Sequence, residues 1–398
     1  GFAWSMTIDH GPSVLDREEG RTDATRRRFS IGLQHGGFRT VTMLKEPAGY
    51  NLDLLIAMGI LSDVNEWLNQ ENVARGSDAG MEKAEGVTRL FFATDVHGST
   101  ACWRKFVNAS EFYSADVLVC GGDTTGKAIF PIIDEGGTYR YTRNEQEQTA
   151  ETEEELEEVE DSAEDAGFYP YVLTETEYEA LQTAENAEER HDRIFENLMI
   201  ERIEEWGEFA AERLSTEVPV YVSPGNDDPF AIDDAWEAVD RVRLVEGDVV
   251  EIGDHYEMAN TGWSNRTPWD TPREEDEAAL EERLEAVISK IDDMDRAIFN
   301  FHVPPYDSQL DEAPELDENL KPKYGAQTME PVGSTAVRDV IEDYQPPLSL
   351  HGHIHESRGK TMIGETMAIN PGSVYSEGSL QGAIVDLEPA VNFVGLVR

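Results

Sequence analysis

Several short apolar runs in this chain each end on a motif of carboxylate, amide or imidazole side chains, and this pattern narrows its fold more than any other feature. Leu90-Phe91-Phe92-Ala93-Thr94 leads into Asp95-Val96-His97-Gly98. Asp116 to Cys120 leads into Gly121-Gly122-Asp123, and Val218 to Val222 leads through Ser223-Pro224 into Gly225-Asn226-Asp227-Asp228. Ala297 to Phe301 ends at His302, and Leu348 to Leu350 leads through His351 into Gly352-His353-Ile354-His355. Runs that are apolar at every position read as inner strands covered on both faces. Strand ends on one edge of such a sheet converge in space, so the polar motifs are expected to meet there.

Helical and hairpin signals alternate with these strands. Residues 51–70 place apolar side chains at helical spacing, as do Cys102 to Phe112, Glu175 to Leu214 (read as one or two helices), Thr271 to Ile291 and Gly333 to Tyr344, the last capped by Ser334. Gly136-Gly137 and Gly253-Asp254 mark hairpins. Late in the chain Thr366 to Ile369, Gly382 to Leu387 and Val391 to Val397 read as strands. Strands alternate with helices early and become hairpin-rich late, which predicts an α/β fold of sheet layers flanked by helices rather than a simple doubly wound sheet. We divide the chain into a disordered extension over residues 1–46, a helix and linker over 47–86, and a catalytic domain over 87–398. Residues 143–166 interrupt that domain. Glu151 to Asp165 holds ten acids and no base, so this insert is expected to be solvated and disordered.

Charge narrows the partners. The formal net charge is -50, from 82 acidic and 32 basic residues. Repulsion on that scale is tolerated where salt screens it, so the surface reads as that of a halophile's protein. The same field opposes nucleic-acid binding, which depends on cations meeting phosphates. The two cysteines, Cys102 and Cys120, make neither a disulfide framework nor a zinc cluster, and Cys120 reads as a buried thiol. No apolar run is long enough to span a membrane. The segment Thr25 to Ser30 looks like a twin-arginine signal, but Ile31 to Gly37 is too polar for a signal core, so a cytoplasmic location is expected. The sequence begins at Gly1, with Met6 and Met43 as candidate starts.

The motifs together supply carboxylate oxygens, an amide oxygen and imidazoles. That mixture suits Mn, Fe or Zn better than Ca or Mg. A bridging carboxylate can hold two metals roughly 3.5–4 Å apart, and water between such ions becomes a nucleophile near neutral pH. Alone, each motif is a commonplace turn or a structural histidine. Together they hold four of the nine histidines as motif members, each motif placed after an apolar run.

In this order and spacing the motifs resemble the calcineurin-like metallophosphoesterase family, over roughly Val87 to Val397. Thr94 to Ser99, Gly122 to Lys127 and Ser264 to Trp269 are similar to a branch of predicted archaeal and bacterial phosphoesterases. The resemblance implies a four-layer α/β/β/α sandwich of two mixed sheets flanked by helices. It implies two divalent ions, Mn first among them. Asp95, His97 and His355 would hold one ion, Asn226, His302 and His353 the other, and Asp123 would bridge them. The implied reaction is attack of a metal-bound hydroxide on the phosphorus of a small phosphoester. Asp228 matches an acidic residue that orients a neighbouring ligand. Asp227 is the candidate catalytic residue and a departure, because many phosphatases of this family carry a His there. A carboxylate beside two cations is a poor proton donor, which turns the expectation toward phosphodiesters. His351 is read as structural. Arg104, Lys127 and Arg266 could meet a phosphate, although surface ion pairing is the plainer reading. Trp263 and Trp269 are read as core packing. Two other functions use the same fold: a non-catalytic metal-binding scaffold, which would be expected to lack ligands, and a DNA nuclease, which the charge opposes. The sequence sets no oligomeric state.

Overall fold

The computed structural model describes residues 83–398, except 85, 184–185, 324–327 and 389, together with the backbone of three strands near the N-terminus. The chain divides into two units, Gly1–Asp78 and Ala79–Arg398. In the first, Trp4–Thr7, Arg26–Leu33 and Gly37–Leu44 pair antiparallel. They fall within the segment expected to be disordered. The alternation of Phe29, Ile31 and Leu33 with polar neighbours is the strand signal there. The helix expected over residues 51–70 lies outside the described residues.

The second unit is built on two six-stranded mixed sheets. Its elements run β1 (Arg89–Ala93), α1 (Thr100–Tyr113), β2 (Val117–Cys120), β3 (Ile129–Asp134), β4 (Tyr139–Arg143), β5 (Gln146–Ala150), α2 (Glu153–Asp165), β6 (Tyr169–Thr174), α3 (Glu175–Thr183), α4 (Ala187–Arg213) and β7 (Val220–Val222). They continue α5 (Ile232–Ala238), β8 (Arg243–Leu244), β9 (Val249–Ile252), β10 (Tyr256–Thr261), α6 (Glu277–Ile288), β11 (Ala297–Phe301), α7 (Thr335–Tyr344), β12 (Leu348–Leu350), β13 (Gly359–Ile363), β14 (Thr366–Asn370), β15 (Gly382–Asp386) and β16 (Asn392–Val397). The first sheet has the order β8-β7-β2-β1-β15-β16, parallel from β8 to β1 and antiparallel beyond. The second has the order β9-β10-β11-β12-β14-β13, parallel from β10 to β14 with an antiparallel strand at each edge.

Side-chain alternation along the strands creates the layers. Leu90 and Phe92 of β1 point between the sheets, where they meet Val119, Met258, Ile298, Leu350 and Val385. Phe91 and Ala93 point the other way, against Trp103 and Phe106 of α1, Trp206 of α4 and Trp236 of α5. On the far side of the second sheet, Phe299 and Phe301 pack against Leu280 and Leu284 of α6 and Val337 and Ile341 of α7. Helix, sheet, sheet and helix therefore stack in four layers, as expected. Both cysteines are free and buried, and burial pushes the Cys120 thiol up.

The acidic insert corrects the sequence reading. β3 to β6 form a four-stranded sheet of order β5-β4-β3-β6, and the ten-acid block supplies helix α2 instead of a disordered loop. Thr152 caps that helix by accepting the Glu155 N–H at 3.1 Å, and three glutamates fill its first turn, where the helix dipole favours them. Ala163 is buried, and Glu164 pairs with Arg202 at 3.1 Å. The block therefore has an inner face and a partner, which a count of charges does not reveal. The helix expected from Thr271 starts at Glu277, because Thr267 and Thr271 spend their hydroxyls on Glu274 and hold the chain in a loop.

Candidate metal centre

The polar motifs meet where the parallel strands of the two sheets end. β1, β2 and β7 of the first sheet deliver Asp95 and His97, Asp123, and Asn226 to Asp228. β11 and β12 of the second deliver His302, His353 and His355. Backbone bonds knit the loops together. Asp95 N–H donates to Gly122 O at 2.9 Å, His97 N–H to Asp123 O at 2.9 Å, and Gly352 N–H to His302 O at 2.8 Å. Two glycines let these loops close in. A Cβ at Gly225 would overlap Asp123 Oδ1, and one at Gly352 would overlap Thr94 Oγ1 and Asp95 Oδ2.

The donors form overlapping groups whose candidate ligand atoms lie within 4.8 Å of one another: Asp95, His97 and His355; Asp123, His302 and His353; and His97, Asp123 and Asp227. Asp123 Oδ2 is 3.6 Å from His97 Nε2 and 3.5 Å from His302 Nε2, which places it between the first two groups. His355 Nε2 is 3.3 Å from Asp95 Oδ1 and 3.1 Å from His97 Nε2. Ring nitrogens that close share either a proton or a cation. Buried His302 Nε2 and Asn226 Oδ1 find no hydrogen-bond partner among the described residues. Unpartnered buried polar atoms are rare and need an explanation. A divalent ion supplies one, and nitrogen mixed with oxygen suits Mn, Fe or Zn.

Outer partners set the direction of each donor. His97 donates Nδ1–H to Thr125 O at 3.2 Å and His302 donates Nδ1–H to Gly121 O at 2.9 Å, so both rings turn Nε2 inward. Asn226 donates its Nδ2–H to Thr271 Oγ1 at 2.8 Å. Asp228 is fully buried and belongs to none of the three donor groups. It accepts from Thr124 N at 2.9 Å, Thr125 N at 2.8 Å and Gly225 N at 2.9 Å, binding the Asp123 loop to the Asn226 loop. Asp227 faces the cluster. Its N–H donates to Asp123 Oδ1 at 3.0 Å and its carboxylate pairs with Lys127 at 3.2 Å.

The electrostatics are those of a crowded site. Burial lowers His97 to about 3 and His353 to about 4, so both rings are neutral. Burial also opposes the charge on His302, but Asp123 and Asp95 outweigh it and raise the ring to about 9. Burial would raise Asp95, yet the hydrogen bond and charge of His355 bring it to about 2. Asp227 is raised, first by burial and then by the charge of Asp123, with Lys127 opposing. This is the reverse of the direction expected from sequence, because that argument placed two divalent cations beside the carboxylate.

Six of the seven sequence-predicted ligands fall in these groups, with Asn226 next in the chain to Asp227, and the softer candidates separate. Both ring nitrogens of His351 are taken, Nδ1 by Phe301 O at 2.8 Å and Nε2 by Ser349 Oγ at 2.8 Å, so it is structural. Arg266 pairs with Asp276 at the surface, 3.2 Å away. Trp263 packs between Phe230 and Arg283, whereas Trp269 is 61% exposed and does not belong to the core. Sequence reasoning missed the segment after β14. There Asn370 donates to Gly352 O and Ile354 O, Ser373 donates to Asp95 O at 2.7 Å, and the Tyr375 ring lies 4.6 Å from that of His97. The signal was present, since Asn370-Pro371-Gly372-Ser373 is one more polar turn after an apolar run.

No family model matches the sequence. A stretch of 160 residues, 40% of the chain, is 30% identical to the uncharacterized protein MJ1162 of Methanocaldococcus jannaschii and spans 66% of that protein's length. Among solved structures, the protein TT1561 of Thermus thermophilus aligns at 16% identity with a TM-score of 0.40, over 78% of this chain and 100% of that one. A conserved uncharacterized protein of Streptococcus pneumoniae, described as a predicted phosphoesterase, aligns at 11% identity with a TM-score of 0.25, over 78% and 90% of the two chains.

Proposed function

We propose that this chain hydrolyses phosphate esters, with a preference for diesters, at a centre of two divalent ions of the calcineurin-like metallophosphoesterase type. The observation that carries this reading is the meeting of two His/Asp triads at the strand ends, with Asp123 between them. Asp95, His97 and His355 would hold one ion, Asn226, His302 and His353 the other, and Asp123 both. When bound, such ions neutralise phosphoryl oxygens and lower the pKa of a bound water toward neutrality.

The chain's own groups do the rest. His97 and His302, each tied by Nδ1–H to a backbone carbonyl, keep a fixed Nε2 aim. Lys127, beside Asp227 at the mouth of the cluster, offers a cation to a phosphate oxygen. With ions bound beside it, Asp227, paired with that lysine, would stay a carboxylate and donate no proton to a leaving group. A diester with a good leaving group needs that proton least. The test is turnover of bis-p-nitrophenyl phosphate against p-nitrophenyl phosphate by the Mn-loaded chain in high salt. Diester turnover is expected to exceed monoester turnover. Asp123→Asn is expected to lose more than the ~10–100-fold that an outer partner typically costs. Preferred monoester turnover would refute the argument from Asp227, and an unimpaired Asp123→Asn would refute the metal centre.

A further inference from the structure

The loop from Ser264 to Glu275 stands out in the sequence and has no part in the chemistry above. Its two ends pair, Ser264 with Glu274 and Asn265 with Glu275, and Ser264 N–H donates to Arg273 O at 3.0 Å. It grips Asn226 from two sides. Arg273 N–H donates to Asn226 O at 3.1 Å, and Thr271 Oγ1 accepts the Asn226 amide hydrogen at 2.8 Å.

We infer that Thr271 and Glu274 form a directional relay that points the Asn226 oxygen into the metal centre, making them positioning residues for one ion of the pair. The direction follows from donor and acceptor rules. A carboxylate only accepts, an amide nitrogen only donates, and a hydroxyl has one hydrogen. Glu274 is buried, and its carboxylate takes Thr267 N–H at 2.9 Å, Thr271 N–H at 3.0 Å and both threonine hydroxyls. The single Thr271 hydroxyl hydrogen is therefore spent on Glu274, and only lone pairs face Asn226. Turning the amide over would set oxygen against oxygen and withdraw Oδ1 from the cluster. As it stands, Oδ1 is buried with no partner among the described residues, a lone pair held ready for a cation. The relay rests on the proposed metal centre and adds to it the residues that select the amide's orientation.

The test is Mn²⁺ binding to the full chain, read by calorimetry and by the spin coupling of an ion pair, with a thermal melt of each variant. Thr271→Val keeps the shape and removes the hydroxyl. It is expected to hold one Mn²⁺ as the parent does, to bind the second ~10–100-fold more weakly, and to lose the coupled signal. Thr271→Ser is expected to restore both, and Asn226→Ala to show the same one-site defect more strongly. A folded Thr271→Val that binds both ions with parental affinity would overturn the relay, as would equal weakening of both sites. If Thr271→Val does not fold, Thr271→Ala decides. It removes the hydroxyl without adding a methyl group in its place, so the same one-site loss is expected, and unchanged binding would overturn the relay. A parent chain that takes up no Mn²⁺ would instead overturn the metal centre itself, and the relay with it.

Discussion

Asp95, His97, Asp123 and His353 share a backbone feature besides their place in the cluster: their φ angles are 53°, 40°, 50° and 65°. Left-handed backbone is uncommon outside glycine, although Asp, Asn and His tolerate it best. Each such residue costs on the order of 1–3 kcal/mol and persists where its surroundings over-determine it. Here the bonds between the Asp95 and Asp123 loops and the brace from Asn370 do so. The residue types needed at the cluster are therefore also the types that accept the turn. Protons add a second constraint at this scale. His302 is raised to about 9 and His355 is raised as well, so at neutral pH the ion-free cluster carries protons that a metal must displace. Close to one proton should leave with each metal load at pH 7, with a further fraction from His355. Apparent affinity should rise about tenfold per pH unit up to the His302 value, because each bound proton competes with the ion. Mn²⁺ calorimetry in buffers of different ionisation enthalpy checks this, and a binding heat independent of buffer would contradict it. Sequence disclosed these side chains because their chemistry is local to short motifs. It did not disclose Thr271 or Tyr375, whose roles depend on where a loop and a turn are carried by the fold.

Elements were legible where a run was apolar on both faces and obscure where charge masked an inner face. β1, β2, β11 and β12 could be read directly, since Phe91, Val119, Phe299 and Leu350 must all be covered. The edge strand β13 was missed, its exposed Lys360 and Met362 giving no apolar run. Helix α2 was misread for a related reason: its inward residues Leu156, Val159 and Ala163 are few and sit among ten acids. The insert is nonetheless bound to the centre. Ser99 Oγ donates to Asp165 O at 2.6 Å, Tyr169 Oη accepts Gly126 N–H at 2.9 Å, and buried Arg202 donates to Gly98 O at 3.0 Å. Thr152→Ala is expected to cost about 1 kcal/mol of helix stability through loss of the cap. Hydrogen exchange should quicken over the first turn of α2 and leave β1 and β2 unchanged. Uniform exchange across the chain would show that the insert does not open as its own element.

At the scale of the whole molecule, the net charge of -50 and the pairing of most described arginines with acids leave a surface that repels itself. Screening should therefore stabilise the fold. The melting temperature is expected to climb steadily between ~0.1 M and ~1 M salt, as the Debye length falls from about 10 Å to about 3 Å. A melting curve unmoved over that range would show that the acidic surface does not limit stability. The layered architecture was legible because alternation along each strand fixes what lies above and below it. The order of strands within each sheet was not, because pairing joins residues as far apart as Phe92 and Ala383.

The two sheets contribute unequally placed halves of one cluster: Asp95, His97, Asp123 and Asn226 come from the first, and His302, His353 and His355 from the second. The cluster thus works as a clasp across the seam between the sheets, where the contacts are otherwise apolar and without direction. Any sliding of one sheet over the other changes the separation of Asp123 from His302 before it disturbs a strand. An ion gripped from both sides would convert a slippery interface into a jointed one, and its loading would gauge the alignment of the whole sandwich.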